Sequence, residues 1–197
     1  MVSKKSWLKS ELPQLLALVL LVLAGRSSLA DHYLVPSGSM EETLQVGDRV
    51  VVDKTAYGLR LPFTSIELGA GDAVVRGEVA IFNSPKNGIR LIKRIVAIGG
   101  DEVLIRNGHA IINGIPLATG SGVETFGSRA AWLNMRDGGG PDLYIESVPA
   151  GMLLAVGDHR GNSLDGRFFG LVSEDEIYGR AIAVYYRRSE GFVWKPL

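Results

Sequence analysis

The 197-residue chain has no cysteine. Disulfides, thiolate metal sites and a cysteine nucleophile are therefore excluded, so covalent catalysis would need another group. Neither charge is in excess: Lys plus Arg and Asp plus Glu each number 21. Without a global field, nucleic acid is not an expected partner. Histidine is scarce, which restricts imidazole chemistry to His32, His109 and His159. Beyond residue 30 there is no sustained 3.6-residue periodicity, no internal repeat and no long low-complexity tract, which argues against helical and repeat folds.

What is present is glycine, 25 residues of it, between short β-branched runs. That combination predicts a mainly β protein rich in turns. Strands are expected at 48–54, 78–82, 90–98 (the longest) and 181–186, the last of these closing the series. Asn107-Gly108 and Asn113-Gly114 predict tight turns with positive φ on either side of His109–Ile112. Short helical turns are expected near 41–46 and 173–177, with Ser173 as N-cap and Glu176 three residues on. Residues 119–149 read as mobile loops forming an inserted flap or subdomain. Phe192, Trp194 and Trp132 could touch lipid, with core or rim packing the favoured role.

One long apolar run stands out, Leu15 to Ala24, preceded by Lys4, Lys5 and Lys9. It marks a membrane-targeting segment whose basic side stays in the cytoplasm. Taken from Trp7 to Leu29 it reaches the roughly 20 residues a span needs. Ser28-Leu29-Ala30 also offers the small residues of a cleavable secretory signal, and local sequence leaves both readings open.

Three segments carry candidate chemistry. In Val35-Pro36-Ser37-Gly38-Ser39-Met40, two hydroxyls flank a glycine that lets the backbone bend. One can attack a carbonyl while the other, with a backbone N–H, stabilises the oxyanion. A serine-rich loop leaving a membrane would look the same. In Arg90-Leu91-Ile92-Lys93-Arg94-Ile95-Val96, a strand places Lys93 on one face with Leu91 and Ile95. Aliphatic neighbours lower a lysine pKa towards the range of a general base. The alternative is a lysine that protects a sheet edge. Arg94, always charged, needs a carboxylate if buried, which Asp158 or Asp165 would supply. The loop from Gly157 to Arg167 concentrates acids, arginines, Asn162 and Ser163. Such a loop suits bracing a site, with Ser163 orienting the lysine and Asp165 paired to Arg167.

Taken in order, these segments resemble the bacterial type I signal peptidase family. The resemblance runs through Pro36-Ser37-Gly38-Ser39-Met40…Thr43-Leu44, Gly47-Asp48…Val50, Tyr57 to Phe63, Lys93-Arg94-Ile95-Val96…Gly100-Asp101, and Gly157-Asp158…Asn162-Ser163…Asp165…Arg167. It implies a Ser–Lys serine endopeptidase in which Ser39 is the nucleophile and Lys93 the general base. Ser37 would donate to the oxyanion, Ser163 would position Lys93, and Arg94, Asp158, Asp165 and Arg167 would be supports. Val35, Pro36, Met40, Leu91 and Ile92 are expected to contact substrate.

The implied fold is an antiparallel β-sheet catalytic core (31–101 and 150–197) with an inserted β subdomain (102–149), behind one transmembrane helix within residues 1–30. The implied partners are preprotein signal peptides and the bilayer, with the secretion translocon nearby and with no cofactor or metal. The implied location is the cytoplasmic membrane, single-pass, with the catalytic part outside the cytoplasm. Glu42, His159, Gly161 and Gly99 depart from the family pattern, which usually has proline, asparagine, aspartate and proline there. A peptidase dedicated to a pilin or secretion-system substrate fits those departures. The competing readings are a Ser–His–Asp hydrolase, a non-catalytic β-rich binding protein and a self-cleaving repressor relative.

Overall fold

The computed structural model describes residues 11–19, 30–60, 67–120 and 122–197. Residues 11–19 form a helix (α1) with exposed side chains, and among the described residues no helix is long and apolar enough to cross a membrane. The remainder of the expected span, and Leu61 to Phe63 of the expected hairpin, lie outside the described residues.

From residue 30 onward the chain is strand and turn. β1 (Ala30–Leu34) and β2 (Arg49–Asp53) pair antiparallel, and β3 (Gly58–Arg60) pairs β4 (Glu67–Ala70) in a separate ribbon. Next come β5 (Val79–Asn83) and β6 (Arg90–Ala97), which run antiparallel with Ala80 opposite Lys93. After the insertion the chain returns as β14 (Met152–Val156), β15 (Val172–Ser173), β16 (Ile177–Arg187) and β17 (Gly191–Pro196). Together they build an eight-stranded sheet in the order β1-β2-β16-β5-β6-β14-β15, with β17 on β16.

Here the structure amends the sequence reading. β16, with 11 residues, is longer than β6, with 8, and it is followed by β17, which the sequence reading had not foreseen. β17 alternates between half-buried and exposed positions, so Phe192 and Trp194 project outward, as does Trp132. None of these three aromatics is a core residue.

The insertion comprises β7 (Val103–Arg106), β8 (His109–Ile112), β9 (Ile115–Pro116), β10 (Ala118–Gly120), β11 (Val123–Phe126), β12 (Arg129–Trp132) and β13 (Leu143–Ile145). The two asparagine-glycine turns form as expected, with φ of 49° and 81° at Asn107 and Gly108 and 53° and 75° at Asn113 and Gly114. Residues 119–149 are less loop-like than their composition suggests, because β11 and β12 form a hairpin and β13 adds to β7. Ile105, Ala110, Phe126, Ala131 and Leu133 join Val96, Ala97, Leu154 and Val156 in one buried apolar cluster. The insertion therefore shares a core with the main sheet, and each aliphatic side chain buried there contributes about 1.5–3 kcal/mol.

Candidate active site

Ser39 is placed by its neighbours. Residues Gly38–Met40 form one 3-10 turn, and Met40 and Leu44 are fully buried in an apolar cluster with Val35, Val50, Ile81 and Ile92. These anchors draw Ser39 under the surface, where it is 8 % exposed. Glu42 follows at φ 86°. Proline, held near −65°, could not adopt that backbone, so glutamate at this position goes with a different turn.

Lys93, 3 % exposed, comes from the middle of β6, and its Nζ donates a short hydrogen bond to Ser39 Oγ. Ser37 Oγ lies 3.4 Å from the same oxygen. Burial pushes the Lys93 pKa down to about 8. Asp165 and Asp158 oppose that shift and Arg167 assists it. The acids do not prevail because each already has a partner. Arg94 forks onto Asp158 through Nε–Oδ1 (2.9 Å) and Nη2–Oδ2 (2.7 Å). Arg167 does the same to Asp165 at 2.9 and 2.8 Å. Burial alone would raise the Asp165 pKa, but the Arg167 bonds and charge, with the Gly157 N–H, hold it below the usual carboxylate range.

The 157–167 loop is fixed at both ends. Asp165 caps the short helix α2 (Gly166–Phe169) by accepting from Arg167 N, and it also accepts from Gly157 N at 2.9 Å. Thr43 donates to Asp158 at 2.5 Å, tying the segment after the Ser39 turn to the Arg94 pair. Ser163 Oγ is buried beside this group, where its hydroxyl helps to lower the Asp165 pKa, and no hydrogen bond joins it to Lys93. Of the residues expected to meet substrate, Pro36 is exposed and Leu91 half-buried, whereas Val35, Met40 and Ile92 are core residues. Pairing of β6 with β14 begins only at Arg94. Among the described residues, Arg90 to Lys93 thus has β5 on one side and an open edge on the other.

None of the three histidines bonds the Ser39 hydroxyl. His32 contacts Asp31, His109 sits on β8, and the His159 ring meets Gly38 O, Glu41 and Asp137. That arrangement does not support a Ser–His–Asp triad.

Sequence reasoning missed the pair Glu124–Arg160, both side chains 0 % exposed, which joins β11 to the loop. It also missed Asp48–Arg187, at 2.6 Å. The weak signal available was an acid at an inward position of an alternating strand, Val123-Glu124-Thr125-Phe126.

Gly157 makes a sharp test of the packing. A Cβ there would collide with Ser163 Oγ and approach Ser39 O to 2.5 Å. Gly157→Ala should lower kcat by about a hundredfold, as a displacement near 1 Å does, measured on a chain shown by circular dichroism to be folded.

Ser39 and Lys93 are thus buried side by side and joined by a hydrogen bond. The family model for signal peptidase, peptidase S26, matches residues 5–186. The chain therefore belongs to the type I signal peptidases, serine endopeptidases of the S26 family. It is 33% identical over 195 residues to signal peptidase I of Pseudomonas fluorescens, covering 84% of this chain and 68% of that one. To the Pseudomonas aeruginosa enzyme it is 32% identical with the same coverage. A probable signal peptidase I of Synechocystis is 30% identical, over 85% of this chain and 68% of that one. A crystal structure of a signal peptidase I from Enterococcus faecalis superposes with a TM-score of 0.42 at 25% identity, covering 55% of this chain and 97% of that chain.

Proposed function

We propose that the chain removes signal peptides from exported preproteins by a Ser39–Lys93 dyad at the outer face of the cytoplasmic membrane. The observation that carries this reading is the buried hydrogen bond from Lys93 Nζ to Ser39 Oγ. Neutral Lys93 takes the Ser39 proton as Oγ adds to the scissile carbonyl carbon. The Ser39 N–H and the Ser37 hydroxyl receive the oxyanion. The Lys93 ammonium then protonates the departing amine, the C–N bond breaks, and an ester to Ser39 remains. Water, deprotonated by the same amine, cleaves that ester and frees the peptide carboxylate.

The open edge of β6 supports binding of an extended substrate as an added strand, with Leu91 and Pro36 on its path. Arg94, Asp158, Asp165 and Arg167 hold the base and the loop, and Ser163 is assigned to positioning Lys93 from its buried place beside Asp165. The division into core (31–101, 150–197) and insertion (102–149) is kept, with the insertion bracing the loop. Trp7 to Leu29 is the anchor, and tethering enzyme and preprotein to one bilayer raises their effective concentration.

The test is cleavage of a preprotein by the detergent-solubilised full chain, followed by N-terminal sequencing of the product. Wild type should cut after a small residue and Ser39→Ala should leave the preprotein intact; cleavage by Ser39→Ala would refute the dyad. The pH dependence has a definite sign. The base works unprotonated and its pKa is lowered to about 8, so kcat/KM should rise about tenfold per pH unit below 8 and level off above it. A rise continuing to pH 10 would contradict this.

A further inference from the structure

Two of the departures from the family pattern, His159 and Gly161, meet at one place. His159 Nδ1 lies 3.3 Å from Gly38 O and 3.4 Å from Glu41 Oε2, and its Nε2 lies 2.8 Å from Asp137 Oδ2. The His159 side chain is 6 % exposed and its main-chain N–H donates to Ser39 O at 3.1 Å. Every group facing the ring nitrogens is an acceptor: Nδ1 can donate to Gly38 O, while Nε2 approaches Asp137 Oδ2 without hydrogen-bond geometry. Asp137 can approach because residue 161 is glycine: a Cβ there would run into the Asp137 carbonyl and come within 2.8 Å of Gly138 O. Asn134 donates to Glu41 at 3.4 Å and Arg136 faces Glu42 at 3.6 Å, so the 134–137 segment of the insertion grips residues 41–42 as well.

Gly38 O and the Ser39 N–H are opposite ends of one peptide unit. That unit is planar and trans, so holding the carbonyl fixes where the N–H points. Within its own turn Gly38 O receives a single bond, from Glu41 N at 3.0 Å, and a glycine on one side of the peptide makes a flip easy. We infer that His159 is a positioning residue that clamps the Gly38–Ser39 peptide, aiming the Ser39 N–H at the reaction's oxyanion, and that Asp137 of the insertion holds the imidazole in place. The inference rests on the dyad reading above.

The experiment compares kcat and KM for preprotein cleavage by wild type, His159→Phe, His159→Asn and Asp137→Asn. Phenylalanine keeps the bulk and loses the donor, so kcat should fall by about a hundredfold, the effect of losing one oxyanion donor, with KM little changed. Asparagine places Nδ2 where Nδ1 stood, so its kcat should return to within about tenfold of wild type. Asp137→Asn, on a side chain 57 % exposed that the fold can spare, should lower kcat several-fold and leave KM alone. Full kcat in His159→Phe, no advantage of asparagine over phenylalanine, or an unaffected Asp137→Asn would each overturn the inference. Ser39→Ala separates the two failures: residual cleavage there sinks the dyad itself, whereas an inert Ser39→Ala beside a fully active His159→Phe sinks only the clamp.

Discussion

Lys93→Met is expected to abolish preprotein cleavage while raising the thermal stability of the fold at pH 7. The loss should be at least about ten-thousand-fold in kcat, the scale seen when the base of a hydroxyl nucleophile is removed. The gain has the same physical origin. Lys93 is buried and its pKa falls to about 8 in the folded chain, against about 10.4 for the free side chain. Between those values the unfolded state binds the extra proton, so stability rises with pH from about 8 to 10.4. At pH 7 both states are protonated and the fold still carries the cost of a desolvated ammonium. Methionine fills similar space without a charge, and strained catalytic groups are commonly removed at a gain in stability. Activity and melting temperature should therefore move in opposite directions, which excludes misfolding as the cause of the lost activity. A variant both inactive and less stable would mean that Lys93 is mainly a structural tether.

The second large effect concerns the fold. Glu124→Ala should destabilise the chain by about 3–5 kcal/mol, read from a urea unfolding midpoint, because it strands the Arg160 guanidinium in the interior. Glu124 Oε2 accepts from Arg160 Nη2 at 2.7 Å and Oε1 also receives the Ala110 N–H at 2.7 Å. Arg160 in turn donates to Gly157 O at 3.0 Å and to Gly108 O. A domain is stable by only about 5–15 kcal/mol, so this is a large share of the total. The double variant Glu124→Met with Arg160→Leu should recover part of the loss, since no charge is then stranded, while the Ala110 N–H and the Gly157 and Gly108 carbonyls lose their partners. A Glu124→Ala midpoint equal to wild type would show that water or another acid reaches Arg160.

The meeting of Ser39 with Lys93 was legible because the surroundings of each are local. Ser39 and Lys93 each sit in a short segment whose residue types already state their environment: a glycine-hinged turn ending in buried Met40, and a lysine among aliphatics. Asn107-Gly108 announced its hairpin because few other dipeptides tolerate two positive φ values. Arg94 was legible as needing an acid, and Asp158 meets it. What stayed hidden depends on distant residues. Glu124 and Arg160 are 36 positions apart, and no pattern in either segment names the other. α2 was masked by the glycine-rich loop that precedes it. β17 lay outside the expected strands, and it turns Phe192 and Trp194 outward. Residues 119–149 looked loose because glycines dominate the string. Two of those glycines instead permit close approach: a Cβ at Gly139 would strike the Asn107–Gly108 backbone, and one at Gly140 would strike Arg160 O and the Arg167 guanidinium.

In the proposed mechanism the proton affinity of one amine decides the chemistry, and it can be read directly. Lysines carrying 13C at Cε, with Lys93→Met to assign the resonance, can be titrated by NMR in the folded chain. A midpoint near 8 for Lys93 is the expected result. A midpoint near 10.4, that of a solvated lysine, would contradict a neutral Lys93 serving as the base for Ser39.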